Sequence, residues 1–176
     1  PHRHNNFLIF RGVFWHTIQK LSLYDFYPTE YNDHNHYGPI FSLVIAPFAV
    51  VPDAIGLLGW LVVLALGMYY AVRRLPLEEG RQIFLYWFCA HELLTALQMQ
   101  QFNIAIAAII IGSFAAIEKG REVTAAFLIV LGTFVKLYGV VGLAFFFFVK
   151  RKPRFILALI GWSVVCFVAP MLISSP

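Results

Sequence analysis

The side chains of this sequence that can do chemistry are few, and they gather in three places. The stretch Leu23 to Pro39 holds Asp25, Glu30 and Asp33, the histidines His34 and His36, and the tyrosines Tyr24, Tyr27, Tyr31 and Tyr37, with no lysine or arginine. A carboxylate can take the proton of an attacking hydroxyl, and aromatic faces can stack on sugar rings. The stretch therefore suits a sugar-binding or hydroxyl-activating site; the plainer account is a solvated loop whose tyrosines anchor at a membrane interface. The run Asp33-His34-Asn35-His36 offers imidazole and carboxylate donors, but it lacks spaced partners and no metal site is read from it. The second place is the amide cluster Gln98, Gln100, Gln101 and Asn103 at the head of an apolar run, where Asn103 can cap a helix and free N–H groups attract an anion. The third is Lys136, an ionisable residue inside an apolar run and so a functional candidate by default. Its partner is an anion: a ligand phosphate, or Glu92 as a structural salt bridge. His91 and Glu92 are adjacent, point about 100° apart on a helix, and read as polar packing inside a bundle rather than as one ligand site.

The elements that must position these residues belong to a membrane protein. The chain is 60% hydrophobic and 12% charged with a mean hydropathy of +0.75, far from the roughly 25% charged usage of soluble domains. An aromatic content of 17% excludes intrinsic disorder. The net charge of +4 does not point to nucleic acid, because the cations sit in short loops: Arg73, Arg74 and Arg81 in one, Lys150, Arg151, Lys152 and Arg154 in another, with none between Lys20 and Arg73. That asymmetry obeys the positive-inside rule and places both basic loops in the cytoplasm. Cys89 and Cys166 lie in apolar runs without CxxC spacing and read as small core residues. No signal peptide is visible. Because the sequence starts at Pro1 and apolar segments continue almost to Pro176, a fragment of a longer polytopic chain is expected.

Spans are predicted over Ala54–Val72, Ile83–Leu97, Phe102–Ile117 and Phe155–Ile173, the middle two being short for a bilayer crossing of about 20 residues. Ile40–Val51, which contains Pro47, is too short to span and is predicted to be re-entrant. Val123–Val149 would measure about 40 Å as one helix and would bury Lys136 within it. Two cytoplasmic basic loops require an even number of crossings between them, so this run is predicted to be a hairpin turning near Lys136 to Gly139. The loop, the amide cluster and Lys136 then share the external side. Phe7, Phe10, Phe14, Ile18 and Leu21 recur at helical spacing opposite Arg11, His16, Gln19 and Lys20, which predicts an amphipathic helix lying on the outer membrane surface. The expected fold is an all-α, polytopic transmembrane bundle forming one domain over 1–176, with an external helix and loop at 1–39 and transmembrane and re-entrant helices at 40–173.

The order of motifs carries a resemblance. Tyr37-Gly38-Pro39, the run Ala46-Pro47-Phe48-Ala49-Val50-Val51-Pro52, Gln101-Phe102-Asn103, and Phe134-Val135-Lys136 before a turn and a basic loop together resemble glycosyltransferase family 87, also described as DUF2029. The resemblance covers nearly the whole chain. It implies a GT-C type membrane fold in a multi-pass protein of the bacterial plasma membrane. It also implies transfer of a hexose, often mannose, from a polyprenyl-phosphate sugar to a lipid or glycan acceptor on the external face, without a cofactor. The family's Gln-x-Asn motif maps onto Gln101 and Asn103, and its Ile-Lys motif onto Val135 and Lys136. Tyr37, His36 and Tyr138 join these as expected substrate-binding residues. The acidic residue that commonly opens the family's external loop maps near Asn5 and Asn6, neither of which can act as a base. Another carboxylate must serve, and Asp33, close before the Tyr-x-Pro turn, is the expected base with Glu30 and Asp25 behind it. Two other readings remain at this stage: a transporter or flippase subunit using His91, Glu92 and Lys136, and a non-catalytic member of the family.

Overall fold

The computed structural model describes residues 4–174; Pro1 and Pro176, on which the expectation of a longer chain rests, lie outside them. The described residues form helices and no strands. In chain order they are α1 (Asn5–Gln19), α2 (Phe41–Ala49), α3 (Asp53–Arg73), α4 (Glu79–Gln98), α5 (Asn103–Glu118), α6 (Glu122–Val135), a 3₁₀ helix (Leu137–Phe148), α7 (Lys152–Val168) and a short 3₁₀ turn (Ala169–Leu172). Two helical stretches, Asp53–Arg73 and Lys152–Leu172, are long and apolar enough to cross a membrane. Outward-facing Ile55, Leu58, Val62 and Leu66 on α3, and Leu157, Ile160 and Val164 on α7, are exposed, as expected where the surrounding solvent is hydrocarbon.

α1 differs from its prediction. Burial reaches round the helix to Ile9, Val13, His16 and Thr17 as well as Phe7, Phe10 and Phe14, while Ile18 and Leu21 at its C-terminal end are exposed. The helix is packed into the core against α2, not set on a single apolar stripe. Part of its expected polar face finds partners inside: His16 Nε2 meets Glu30 Oε2 at 3.0 Å, and Arg11 pairs with Asp53 and donates from Nη2 to the Ala49 carbonyl at 2.9 Å, whereas Arg11 Nε and His16 Nδ1 are buried without a hydrogen bond among the described residues and Gln19 and Lys20 are exposed. These pairings offset part of the cost of burying the two side chains. α1 ends at Lys20, which takes a left-handed conformation and returns the chain into the acidic loop.

An aromatic knot joins α1, the loop, α2, α3 and α5. Phe10 packs edge-on against Tyr37, Phe41 and Trp60, with centroids 5.1, 5.2 and 5.8 Å apart. Tyr37 stacks on Phe41 at 4.8 Å, and Trp60 stacks on Phe102 at 5.9 Å. Such pairs contribute about 0.5–1.5 kcal/mol each beyond the area they bury. α4 packs more loosely. Trp87 and Phe88 are exposed, and so are His91 and Glu92, which corrects the expectation that these two pack inside the bundle.

The predicted hairpin is present. α6 ends at Val135, Lys136 takes an extended conformation, and the chain returns along α6 as the 3₁₀ helix. The two arms touch backbone to backbone where Gly139 lies on Gly132, and a Cβ added at Gly139 would overlap the Gly132 main chain. A 3₁₀ helix rises about 2.0 Å per residue, so the returning arm covers about 24 Å with few residues. Gly139→Ala must separate the arms and should lower the thermal unfolding midpoint in detergent by several degrees, an overpacking cost of about 1–3 kcal/mol. Gly161→Ala, whose added Cβ meets open space on α7, should leave the midpoint unchanged or raise it, since alanine is the better helix former.

Candidate functional site

The polar features of three distant segments meet at one end of the bundle. Gly38 is the joint: its N–H donates to the Val135 carbonyl at 3.0 Å, and a Cβ at Gly38 would overlap the Phe134 carbonyl oxygen. Only glycine lets the loop backbone come this close to the end of α6. The flanking residues are thereby brought together, Tyr37 from the loop and Lys136 from the hairpin apex. Lys136 Nζ lies 5.7 Å from the Tyr37 ring centroid and 5.1 Å from that of Tyr138, within the range of cation–π attraction.

The amide cluster completes the group. Lys136 Nζ donates to Asn103 Oδ1 at 2.8 Å, and Asn103 Nδ2 donates to Gln101 Oε1 at 3.0 Å. Gln101, Asn103, Lys136, Tyr37 and Tyr138, all expected from the sequence to bind substrate, thus form one contiguous set. Asn103 does not cap α5 with its side chain; its amide is used to hold the lysine. The ammonium has three N–H donors, and with one on Asn103, two remain for an anion. Partial burial lowers the Lys136 pKa from its ordinary value, and burial pushes the Tyr37 phenol up to about 12, so Tyr37 remains a neutral hydroxyl throughout the physiological range. Glu92, exposed on α4, is not the partner of Lys136.

An apolar cavity of about 390 Å³ is lined by Pro39, Ile40 and Phe134 together with Cys166 and Phe167, and a second of about 190 Å³ lies directly beside the amide and the lysine. The smaller is walled by Phe102 and Val135, which immediately precede Asn103 and Lys136, together with Val44, Trp60, Leu64 and Ala108. A cavity of about 490 Å³ between α1 and α3 contains none of the site residues.

The carboxylates are divided. Glu30 is engaged by His16. Asp33 is exposed, and its Oδ1 accepts the N–H of the adjacent His34 at 2.8 Å. Asp25 is exposed and, with Glu30, raises the pKa of Tyr27, whose shift comes first from desolvation. Among the described residues no hydrogen bond or ion pair joins any of the three to Lys136, and His36 is exposed without a hydrogen bond to the group. His34 stacks on Phe26 at 5.1 Å. Two contributions were not foreseen from sequence: the Cβ-free contact at Gly38, signalled only by its place between an aromatic residue and a proline, and the hydrogen bonds of Asn5 and Asn6, which the sequence marked only as positions where a base is missing. Asn5 Oδ1 accepts the Asn32 N–H at 2.7 Å, and Asn6 Nδ2 donates to the Met99 carbonyl at 2.6 Å.

A family model for glycosyltransferase family 87 matches residues 35–176, which include Tyr37, Gly38, Gln101, Asn103 and Lys136. The chain belongs to glycosyltransferase family 87. No curated protein and no solved structure matches it. Membership assigns the chain to membrane-associated glycosyltransferases, with a sugar donor and an acceptor as substrates. Asp25, Glu30 and Asp33 precede the matched region, whereas the lysine–amide group lies wholly within it.

Anion binding at Lys136 requires the ammonium form. Because burial lowers its pKa, affinity for geranyl phosphate should fall as pH rises, starting below the ordinary lysine value of 10.5. Lys136→Arg, which stays charged throughout, should flatten that decline. Titration of the ligand from pH 8 to 11, roughly spanning that range, checks this; an affinity constant to the top of it in the parent protein would contradict the assignment.

Proposed function

We propose that this protein is an inverting hexosyltransferase using a polyprenyl-phosphate sugar, with a lipid or glycan acceptor on the external face of a multi-pass membrane bundle. The observation that carries this reading is the 2.8 Å contact of Lys136 with Asn103 beside Gln101, Tyr37 and Tyr138 in a family 87 chain. Among the described residues no carboxylate pairs with this half-buried cation, which a neutral amide holds, so its charge is available to a phosphate. The apolar cavity walled by Phe102, Val135 and Val44 of the short helix α2 suits the first part of a prenyl chain whose phosphate rests on Lys136.

In the proposed reaction, Asp33 accepts the proton of the acceptor hydroxyl. The hydroxyl oxygen attacks the anomeric carbon and forms the new glycosidic bond, while the carbon–oxygen bond to the phosphate breaks and its electron pair leaves with the polyprenyl phosphate. One displacement inverts the anomeric centre. Lys136 offsets the charge that builds on the departing phosphate, the preorganised electrostatic role that commonly dominates such steps. Gln101 and Asn103 orient the phosphate or sugar, and Tyr37 and Tyr138 offer faces for the ring. Asp25 and Glu30 stand behind Asp33 in the same loop. A transport pathway would need His91 and Glu92 inside the bundle, and both are exposed on α4.

Full-length protein in nanodiscs, assayed with polyprenyl-phosphate hexoses, should transfer sugar. Lys136→Ala should lower kcat/KM about a hundredfold or more, consistent with losing a main electrostatic stabiliser, and Asp33→Asn should abolish most turnover with little change in donor binding. His91→Ala with Glu92→Gln should match the parent. Full activity in both Lys136→Ala and Asp33→Asn would overturn the residue assignments, and a parent without transfer activity whose lipid or sugar transport is lost in the His91/Glu92 variant would favour transport.

A further inference from the structure

We propose that Asn5 and Asn6 are positioning residues that set the gap between the loop carrying Asp33 and the turn carrying Gln101 and Asn103. The inference rests on the reading of those two groups as opposite sides of the transfer site. The two asparagines open α1, and as neighbours on a helix they point about 100° apart, so each can hold a different segment. Asn5 Oδ1 accepts the N–H of Asn32, the residue before Asp33, at 2.7 Å. Asn6 Nδ2 donates to the carbonyl of Met99, two residues before Gln101, at 2.6 Å. They bridge 27 and 93 residues of sequence respectively.

The helix between these ties is a firm base. Phe7 and Phe10, directly after the pair, are each 1% exposed, so the start of α1 moves only with the core. The turn needs such a tie because Gln100 adopts a positive φ of 50°, a conformation that a non-glycine residue keeps only where its surroundings impose it. The Gln100 side chain assists by donating to the Gln98 carbonyl at 2.6 Å. Lys136 has separate support through Gly38 and Val135. The asparagine pair therefore controls the relation of the acidic loop to the amide turn, while the lysine is fixed by the hairpin.

The two ties differ in sense, and this makes the assignment testable. At residue 5 the side chain is an acceptor, a role that a carboxylate fills equally well. At residue 6 it is a donor to a carbonyl, and a carboxylate there would face another acceptor with no proton between them. An acid is thus tolerated at residue 5 and excluded at residue 6. The amide at residue 6 is required by the direction of its hydrogen bond to the Met99 carbonyl.

The test uses the full-length protein in lipid nanodiscs, with Cys89 and Cys166 replaced by alanine and spin labels at Thr29 and Gln98. Pulsed dipolar spectroscopy should give one narrow distance for the parent and for Asn5→Asp, a broadened distribution for Asn6→Asp, and a narrowed one again for Asn6→Gln, which restores the donor. In the transfer assay Asn6→Asp should lower kcat about tenfold, the scale of one lost hydrogen bond, while geranyl phosphate affinity should fall less than in Lys136→Ala, because the Lys136 backbone keeps its support through Gly38 and Val135. Asn5→Asp should track the parent. An unchanged distance distribution in Asn6→Asp, or equal effects of acid at residues 5 and 6, would overturn the proposal. If the parent transfers no sugar, the distance measurements still decide the positioning role, and what fails is the enzymatic reading alone.

Discussion

One backbone contact, from the Gly38 N–H to the Val135 carbonyl, determines where the chemically capable residues stand. Before the contact the loop is a polar strip with its own hydrogen bonds; after it, Tyr37 is stacked in the aromatic knot and Lys136 is presented at the apex of a hairpin. A side chain at Gly38 would remove the contact because its neighbour is main chain and cannot move aside. The glycine is thus a requirement of the site even though it takes no part in its chemistry. The aromatic knot supplies the complementary rigidity. Phe102 packs against Tyr37, Phe41 and Trp60, and Asn103 follows it directly, so aromatic packing anchors the backbone at the amide that holds the lysine, beside the polar tie of Asn6 to Met99.

The rest of the bundle follows the rules of helices in hydrocarbon. Exposed apolar side chains on α3, α4 and α7 gain nothing by meeting one another when the surroundings are equally apolar, so association depends on close fit. The tightest packing accordingly falls where side chains are small or absent: Gly132 against Gly139, Gly142 against Ile129, and Ala125 and Ala126 fully buried on α6. Some of the polar residues inside this frame are paired through geometry, while the carboxylate oxygen Oε2 of Glu122 is buried without a hydrogen bond among the described residues. His16 and Glu30 tie the acidic loop to α1, and Arg11 with Asp53 ties α1 to the start of α3. These pairs explain why a helix that looks amphipathic in sequence can be buried on nearly every side.

Much of this was legible in the residues. Apolar run length located α3, α5 and α7 to within a few residues, the parity of basic loops demanded a turn at Lys136, and the rarity of polar groups in apolar runs singled out Lys136, Gln101 and Asn103. Two features were not legible for physical reasons. Periodicity reports which face of a helix is apolar but not whether a partner exists for the other face, so the burial of His16 could not be foreseen without Glu30 beside it. Spacing also gives no sense of direction to a hydrogen bond, so the opposite roles of Asn5 and Asn6 emerged only once Asn32 and Met99 were in place. Of the two partners considered for Lys136, the structural salt bridge to Glu92 is absent because α4 turns that residue outward, a matter of rotation about a loosely packed helix that hydropathy does not encode.

The 3₁₀ arm Leu137–Phe148 gives the hairpin a long reach for its residue count. Twelve residues at about 2.0 Å each are roughly 6 Å longer than the same residues wound as an α-helix. The fourteen residues of α6, at about 1.5 Å each, cover about 21 Å. Tighter winding thus lets a shorter segment run back along the whole of α6, and Lys136 stands at the tip of two arms of nearly equal length.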